Sequence, residues 1–315
     1  MSPSAAQTLA APEDGARRDL RLGGRWSALQ AVKNHAIWAA VRLGLAAARP
    51  LRSATLRGFG RALGALVGWL VARVAARNVG VALPHLPFAE RAALARRALA
   101  NLGGHLGELV AVLGGAPVAA LDVDDEAVRV LEEARAEGRG VLFASAHLGP
   151  WERVAAALVR RGVPLVALAR ESYDPRLTRV YDALRARLGV RAIYRGSPGA
   201  AVRIVRVLRG GDVLGVPMDL RTRAPSARVP FLGADAPTVI GPARIALRTG
   251  AAVVVGTVAR VDGRLVVTAT RVSTEGLEGD PVCALTRRMN DELSRRILAL
   301  PDEWPWVHDR WGRDP

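Results

Sequence analysis

The sequence predicts an α/β fold, with a helix-covered, mostly parallel sheet and a basic amphipathic helical region at the N-terminus. From about residue 120 onward, short continuous apolar runs alternate with segments of helical periodicity. Strands that are apolar on both faces are typical of a sheet with helices on each side. Before that point apolar and basic residues are interleaved, and the length of 315 residues is ample for one large core.

These shifts in composition divide the chain into three regions. Residues 1–16 are small, polar and proline-containing, so we expect a disordered tail there. Residues 17–115 form the basic helical region, and residues 116–315 form the α/β domain. The boundary is the Gly114-Gly115-Ala116-Pro117 stretch, because glycine and proline together interrupt helices and mark loops.

Basic residues are concentrated in the second region. From Arg17 to Arg77 the chain has twelve Lys or Arg and one acid, Asp19, and thus +11 of its formal net charge of +16. Tryptophan and aliphatic residues alternate with these charges, as is typical of helices that lie on an anionic membrane surface. The longest uncharged apolar run, residues 62–72, is shorter than the about 20 residues that span a bilayer. We therefore expect one or two interfacial helices rather than a spanning helix.

The elements of the α/β domain follow one another at short intervals. A helix over residues 85–115 precedes them, and residues 219–238 are predicted to be a loop. Predicted helices occupy residues 124–137, 150–161, 175–188, 198–209, 239–249 and 281–299. Predicted strands occupy residues 140–146, 163–169, 190–194, 212–218, 251–258 and 264–270.

The stretch from Val141 to Glu152 is the strongest candidate for chemistry. Its first half is apolar and predicts a buried strand. Gly149 suits a helix N-cap and Pro150 suits the first helical position, so His147 lies at a strand-to-helix turn and Glu152 in the first turn of the helix. The turn can fold His147 back toward the Glu152 carboxylate, which predicts a base with an orienting partner.

Such a pair favours proton transfer from an alcohol. A neutral imidazole takes the proton, and a carboxylate on its other ring nitrogen fixes the tautomer and stabilises the imidazolium. The chain has no Gly-x-Ser-x-Gly elbow, and its single cysteine, Cys283, is distant in sequence. The substrate's own hydroxyl is therefore the expected nucleophile, with backbone amides at the start of the 150–161 helix as oxyanion donors. The alternative is that His147 only caps a helix or packs in the core.

Charged residues also follow two other predicted strands. Arg170 follows one strand, and Asp219 and Arg221 follow another, at the edge where parallel sheets gather functional groups. Arginines near this edge suit the binding of phosphate groups, and they are Arg170, Arg187, Arg221 and Arg223. The alternative is ordinary surface arginine in an arginine-rich chain.

Aromatic residues cluster at the C-terminus. Trp304, Trp306 and Trp311 alternate with His308 and Arg310. This pattern suits a lid over the site, an interfacial anchor, or packing against the sheet. The sequence leaves these three alternatives open.

The pattern His147-x4-Glu152 after a hydrophobic strand resembles the His-x4-Asp/Glu motif of the lysophospholipid acyltransferase superfamily. The closer resemblance is to the late acyltransferase family of lipid A biosynthesis, of the lauroyl and myristoyl acyltransferase type. It extends from about residue 35 to the C-terminus. The segments that carry it, in order, are Ala76–Val79, Leu83–Leu86, Glu90-Arg91, Asn101–Gly103, Glu108, Met218-Asp219, Val229–Gly233, Thr238–Ala243 and Trp304–Trp311.

The resemblance implies a glycerol-phosphate acyltransferase-like fold and O-acyl transfer from an acyl thioester to a lipid hydroxyl. We expect no metal or other cofactor, because the remaining histidines have no ligand spacing; they are His35, His85, His105 and His308. The catalytic pair that the resemblance implies is His147 and Glu152. The substrate-binding residues that it implies are Arg170, Asp219 and Arg187, and Arg185 is an equally open register for the family's Arg-x-x-x-Gly helix end. Arg221 is added to them because of its position at the sheet edge. The chain departs from the family where Glu171 replaces a proline, where Leu220 replaces Gln or His, and in lacking a clear N-terminal membrane anchor.

The resemblance also implies partners and a location. The donor would be an acyl carrier protein or acyl-CoA, and the acceptor a lipid A precursor or another membrane glycolipid. The expected location is the cytoplasmic face of the inner membrane, against an anionic lipid surface. A single cysteine agrees with a reducing compartment.

Two other functions remain open on the sequence. One is an acyltransferase for another glycolipid or phospholipid, such as phosphatidylinositol mannoside, that uses acyl-CoA. The other is a non-enzymatic basic protein that binds membrane or nucleic acid. Aromatic residues make up only 4 % of the chain, and no nucleic-acid-binding motif is present, so we expect no nucleic-acid partner.

Overall fold

The computed structural model describes residues 25–221 and 224–312. The predicted disordered tail, residues 1–16, lies outside the described residues, as do residues 17–24 and Arg223. The described part of the basic region is helical. Its helices are α1 (Ala28–Ala48), α2 (Ser53–Leu70), α3 (Ala72–Ala82) and α4 (Phe88–Gly114).

The α/β part alternates helices and strands, as predicted. Its helices are α5 (Asp125–Ala136), α6 (Trp151–Arg160), α7 (Pro175–Leu188), α8 (Ala200–Arg209), α9 (Gly241–Thr249) and α10 (Pro281–Ala299), followed by a 3-10 turn at Pro301–Glu303. Its strands are β1 (Asp122–Val123), β2 (Val141–Ser145), β3 (Leu165–Ala169), β4 (Arg191–Tyr194), β5 (Val213–Pro217), β6 (Ser226–Phe231), β7 (Ala234–Val239), β8 (Ala252–Val261) and β9 (Arg264–Val272).

The predicted fold class is confirmed. The main sheet has seven strands in the order β1-β9-β8-β2-β5-β3-β4, and every neighbouring pair is parallel except β8 and β9. Helices pack against both faces, and the apolar side chains of β2, β5 and β8 form the centre of the core. Residues from α3 and α4, such as Val79 and Leu94, belong to the same core.

The segment predicted as a loop contains a β-hairpin instead. β6 and β7 pair antiparallel as a separate two-stranded sheet, joined at Leu232 and Gly233, which both have positive φ. Each strand contains a proline, Pro230 or Pro237, and proline inside an apolar run argues against a strand in a sheet interior. A two-stranded ribbon has two free edges, so it accommodates both prolines.

The long helix α4 packs very closely against α2. Gly60 and Gly64 of α2 face the backbone of α4 at Gly103 and Leu99, and a Cβ at any of these glycines would collide with a carbonyl oxygen of the other helix. The absence of a side chain at these glycines lets the two backbones touch, which maximises dispersion contacts along the pair. The pair therefore holds α2 firmly on the α/β part.

The opposite surface of the basic region is apolar and exposed. Large hydrophobic side chains of α1, α2 and α3 are open to solvent, among them Leu43, Phe59, Trp69 and Leu70. Within the described residues, no single helix is both long and apolar enough to cross a bilayer. Only α2 and α3 taken together reach that length and composition, and they meet at an angle of 84°.

The sheet register places the candidate residues side by side. β2 and β5 are adjacent and parallel, and Ser145 pairs with Pro217. His147 lies two residues after Ser145, and Asp219 lies two residues after Pro217. Both residues therefore leave the carboxyl edge of the sheet at the same level, where α/β sheets place their functional groups.

Candidate active site

The turn after β2 holds His147 at the carboxyl edge of the sheet. The chain reverses through Gly149, whose φ of +60° lies in the left-handed region that favours glycine. The Gly149 N–H donates to the Glu303 carbonyl oxygen at 2.9 Å, which fixes this turn to the C-terminal segment. Pro150 is the N-cap residue and α6 begins at Trp151, one residue later than predicted.

The hydrogen-bond partner of His147 is Asp219. His147 Nδ1 lies 2.8 Å from Asp219 Oδ1, and the His147 backbone N–H donates to Asp219 Oδ2 at 2.9 Å. The Asp219 carboxylate is fully buried, and its Oδ2 also accepts the indole N–H of Trp304 at 2.8 Å. A carboxylate that accepts this many hydrogen bonds stays ionised, so Nδ1 is the ring nitrogen that carries the proton.

The two groups shift each other's pKa in opposite directions. Burial by itself lowers the pKa of His147, but the charge and hydrogen bond of Asp219, with the charge of Glu152, outweigh it and raise that pKa. Burial by itself raises the pKa of Asp219, but the charge of His147 and the hydrogen bonds from His147 and Trp304 lower it. The result is an imidazole of increased basicity, supported by a fixed carboxylate.

The second ring nitrogen of His147 faces the exterior. The side chain is 25 % exposed, and among the described residues no hydrogen bond engages Nε2. The Trp151 ring packs edge-on against the imidazole, with ring centroids 5.1 Å apart. The imidazole is thus held by Asp219 and Trp151, while Nε2 is available to exchange a proton with a hydroxyl.

Glu152 does not take the orienting place that the sequence predicts. Its carboxylate accepts a hydrogen bond from Arg185 of α7 at 3.0 Å, and both side chains are nearly buried. The reason is topological. Asp219 follows the strand next to β2, whereas Glu152 projects from the first turn of α6 toward Arg185. Glu152 therefore acts on His147 through its charge, and the hydrogen bond to the imidazole comes from Asp219.

Arg185 belongs to a chain of polar side chains beside the site. Its guanidinium also donates to the Tyr194 hydroxyl at 3.4 Å, and that hydroxyl donates to Asp182. Burial by itself lowers the pKa of Arg185, but Glu152 outweighs it and raises that pKa, and burial raises the pKa of Tyr194 to about 12. The network keeps Arg185 charged and in place next to Glu152.

Arg187 does not reach this network. It is exposed, and it lies two residues beyond Arg185, which turns it by roughly 200° about the helix axis. Arg185 is therefore the arginine of α7 that stands next to the site. The sequence left both registers open and could not choose between them.

The other predicted substrate-binding residues lie at the same sheet edge, but they differ in burial and in their partners. Asp219 is buried with both oxygens engaged, so it positions His147 and has no surface for a substrate. Arg170 is exposed at the end of β3, with its guanidinium carbon 4.2 Å from the centroid of the Tyr173 ring. Arg221 is exposed and donates to Asp309 at 2.9 Å, so its charge is already paired.

The C-terminal tryptophans pack beneath the site. Trp304, Trp306 and Trp311 are buried, and each indole N–H donates to an acceptor inside the protein. Arg310 is buried among them, donates to Pro237 and Thr238, and has a pKa lowered to about 10 by burial. Of the three alternatives for this aromatic segment, the structure shows packing.

His308 is a further residue of the site that the sequence did not single out. Its Nε2 accepts the backbone N–H of Arg221 at 2.9 Å, which keeps that nitrogen unprotonated. Burial lowers the pKa of His308, and the charges of Asp219 and His147 both act on it, so the ring lies within electrostatic reach of the pair. The only sequence signal for His308 and Trp304 was the aromatic C-terminal motif.

Metal ligation has no candidate among residues 25–221 and 224–312. No group of three or more His, Cys, Asp or Glu side chains there is arranged to hold an ion. The chemistry that the described residues do offer is proton transfer at His147 Nε2, at the sheet edge that also carries the exposed Arg170.

The match to a family model defines the class of protein as an acyltransferase. A family model described as bacterial lipid A biosynthesis acyltransferase matches residues 25–313, nearly the whole chain. The chain therefore belongs to the bacterial lipid A biosynthesis acyltransferase family. This confirms the resemblance found in the sequence.

The chain also has distant relatives among curated proteins. Two are phosphatidylinositol mannoside acyltransferases of Mycobacterium tuberculosis, from strains CDC 1551 / Oshkosh and ATCC 25618 / H37Rv. Each is 26 % identical to this chain over 186 residues, which is 58 % of this chain and 58 % of the relative. The similarity thus spans less than two thirds of the length of either relative.

Proposed function

We propose that the protein transfers a fatty acyl group from a thioester donor to a hydroxyl group of a membrane lipid, with His147 as the general base. The observation that carries this proposal is the His147–Asp219 pair, in which Nδ1 is bound to a buried carboxylate and Nε2 is open to the exterior. Family membership supports acyl transfer as the reaction. The raised pKa of His147 makes the imidazole a stronger base toward an alcohol.

In the proposed reaction, one proton passes from the acceptor hydroxyl to His147 and then to the leaving thiolate. His147 Nε2 takes the proton of the acceptor hydroxyl as its oxygen attacks the thioester carbonyl carbon. When the tetrahedral intermediate collapses, the carbon–sulfur bond breaks and Nε2 returns the proton to the departing thiolate. The products are an ester and a free thiol. Asp219 stabilises the transient imidazolium and keeps the ring in the productive orientation.

The oxyanion needs hydrogen-bond donors near Nε2. In the turn before α6, the Gly149 N–H donates to the Glu303 carbonyl oxygen. In the first turn of α6, the N–H groups of Trp151 and Arg153 donate to the carbonyl oxygens of Gly149 and Pro150. Among the described residues, the Glu152 N–H has no backbone acceptor outside the helix. We propose the Glu152 amide as an oxyanion donor, with the helix N-terminus adding favourable charge.

For the finer specificity we propose an acyl carrier protein as donor and a lipid A precursor as acceptor. The family description supports the acceptor, and the strong positive charge of the chain suits an acidic donor protein. The second candidate is acylation of phosphatidylinositol mannoside from acyl-CoA. Its support is the similarity to the two mycobacterial relatives, at 26 % identity.

A matrix of two donors and two acceptors separates the candidates. The purified full chain in detergent micelles is incubated with lauroyl-carrier protein or lauroyl-CoA, each with a lipid A precursor or with phosphatidylinositol mannoside. Lipid products are read by mass spectrometry, and His147→Gln is the background. The first proposal requires the fastest product from carrier protein and lipid A precursor. Faster acylation of the mannoside from lauroyl-CoA would replace it with the second.

We further propose that α1, α2 and α3 bind the cytoplasmic face of the inner membrane. Support comes from their exposed apolar side chains, including Trp69 and Leu70, which are 67 % and 68 % exposed. The accompanying basic residues favour anionic lipid. Replacing Trp69 and Leu70 with glutamate should abolish sedimentation with anionic vesicles. Val261→Glu, a control at another exposed apolar position, should bind like the wild type. Unchanged binding of the double variant would contradict the proposal.

A further inference from the structure

A groove of about 820 Å³ runs between α8 and α9. Its floor is apolar, with Val202, Ile204 and Ile245 among its residues, and Val202 is 62 % exposed. The groove is separate from the His147 turn and from the exposed face of the N-terminal helices. We call it the α8–α9 groove.

All the charged residues that line the α8–α9 groove are cationic. Arg195, Arg206, Arg209 and Arg248 line it, and no Asp or Glu is among the lining residues. Elsewhere on the surface arginine is commonly paired, as in Arg191 with Asp212 or Arg129 with Glu133. None of the four rim arginines forms an ion pair with any residue of the described part of the chain. An apolar floor with an unpaired cationic rim fits a ligand that is both amphipathic and acidic.

One end of the groove meets the active edge of the sheet. Arg195 follows β4, and its backbone N–H donates to the carbonyl oxygen of Ala169 at the end of β3, next to Arg170. Burial and the neighbouring charge of Arg170 lower the pKa of Arg195, so the two cations lie close enough to act on each other. A ligand in the groove therefore borders the edge at which His147 lies.

The groove lies on the face of the sheet that is turned away from the N-terminal helices. The crossovers β2–α6–β3 and β3–α7–β4 run one way across the sheet, and β4–α8–β5 runs back. Right-handed crossovers in opposite directions place their helices on opposite faces. The N-terminal helices lie on the face that carries α6 and α7, since Arg153 of α6 donates to Glu108 of α4 at 2.5 Å. A membrane bound to α1, α2 and α3 therefore leaves the α8–α9 groove open to a soluble partner.

We propose that the α8–α9 groove is the docking surface for an acidic carrier protein that presents the acyl thioester to His147. This inference rests on the proposed acyl-transfer function and identifies where its donor binds. An acidic amphipathic helix of the carrier would lay its apolar side on the floor, with its carboxylates toward the four arginines. The groove reaches the carboxyl edge at Arg195, whereas Arg206, Arg209 and Arg248 lie in the last turns of α8 and α9 at its other end. The carrier's flexible thioester arm would therefore extend from the Arg195 end toward His147, while the acceptor arrives from the membrane side.

The test compares carrier-bound and carrier-free donors. In a double variant, Arg206→Glu and Arg248→Glu, one rim arginine on each helix is reversed. The control is Arg160→Glu with Arg179→Glu, which makes the same charge change at exposed arginines of α6 and α7, on the other face. With lauroyl-carrier protein we expect the groove variant to raise KM at least ~10-fold, with kcat little changed. With lauroyl-pantetheine, both variants should match the wild type.

Two further measurements test docking: the dependence of KM on ionic strength, and direct binding of the carrier protein. Raising the ionic strength should raise the wild-type KM for the carrier-bound donor and leave the groove variant almost unaffected, because exposed charge pairs are screened. Fluorescence anisotropy of a labelled carrier protein measures docking without turnover. If the wild type transfers no acyl group from either donor, the proposed function fails, and anisotropy alone decides whether the carrier docks in the groove.

Three outcomes would overturn the proposal. The first is equal KM for carrier-bound donor in the groove and control variants. The second is an equal loss of rate with lauroyl-pantetheine, because the groove would then serve the acyl chain and not a carrier. The third is loss of sedimentation with anionic vesicles in the groove variant alone, which would make the groove a lipid-facing surface.

Discussion

The indole N–H of Trp304 and the backbone N–H of His147 donate to the same oxygen of Asp219, at 2.8 Å and 2.9 Å. The other carboxylate oxygen is left for the His147 ring, with Nδ1 at 2.8 Å. A buried carboxylate with this many donors has no freedom to rotate, so the imidazole orientation is set by groups from β2, β5 and the C-terminus together. The positioning of the proposed base is thus distributed over the whole edge of the sheet.

Asp219→Asn should lower kcat by about 10²–10⁴-fold, because the amide neither fixes the Nδ1–H tautomer nor stabilises the imidazolium. The base must be neutral to act, so the acid limb of the pH–rate profile follows the pKa of His147. Burial alone lowers that pKa and Asp219 raises it, so the variant's limb should move to lower pH. The measurement is kcat against pH. Asp212→Asn, at the opposite end of β5, is the matched control and should keep the wild-type limb.

Trp304→Phe should reduce kcat by about tenfold while keeping most of the buried aromatic surface. Asp219 loses one of its donors, and a hydrogen bond to a charged group contributes about 1.5–3 kcal/mol. Trp306→Phe loses an indole N–H bond to the Pro301 carbonyl at similar burial, without touching Asp219. Both variants should show a lower Tm, but only Trp304→Phe should alter the pH–rate profile. Equal effects on the profile would argue against a special role for Trp304.

Glu152→Gln should affect kcat less than Asp219→Asn does, roughly tenfold, because Glu152 influences His147 by charge alone. It also leaves Arg185 nearly buried without its partner, which destabilises the fold. The double variant Glu152→Gln with Arg185→Met removes both charges and should recover much of the lost Tm. If Glu152→Gln alone abolished activity in a protein of normal Tm, Glu152 would have a direct role in the chemistry.

Gly64→Ala should destabilise the protein by about 1–3 kcal/mol, because the added methyl group meets the Leu99 carbonyl across the α2–α4 interface. Gly58→Ala, on the same helix, has nothing within 4 Å of the added carbon. It should be neutral or stabilise by up to about 1 kcal/mol, because alanine favours the helix. The measurement is Tm by circular dichroism for both variants. A lower Tm for Gly58→Ala than for Gly64→Ala would mean that the close packing of α2 and α4 is wrong.

The fold was predictable because its signals are local. The buried strand that ends before His147 and the Gly149-Pro150 turn are visible in the sequence, and α6 begins within one residue of its prediction. The β6–β7 hairpin was not predicted, because Pro230 and Pro237 are unfavourable in the interior of a sheet. They are tolerated here because the two strands form a ribbon separate from the main sheet.

The partner of His147 was not predictable in the same way. Glu152 was the nearest carboxylate in sequence, whereas Asp219 lies 72 residues away. Their contact depends on β5 being the neighbour of β2, and strand order leaves no local pattern in the sequence. Trp304 is more distant still, and its hydrogen bond to Asp219 exists only once the C-terminus has packed beneath the sheet. Contacts that depend on strand order or on the packing of distant segments are therefore visible only in the structure.

The most direct test of the central claim is a mass spectrum of lipid A from a strain that lacks late lipid A acylation. One culture expresses the wild-type chain and another expresses His147→Ala, with equal amounts of protein in the membrane fraction. The proposed mechanism predicts one added acyl mass with the wild type and none with His147→Ala. If His147→Ala acylates lipid A as fully as the wild type, then His147 is structural and the proposed mechanism is contradicted.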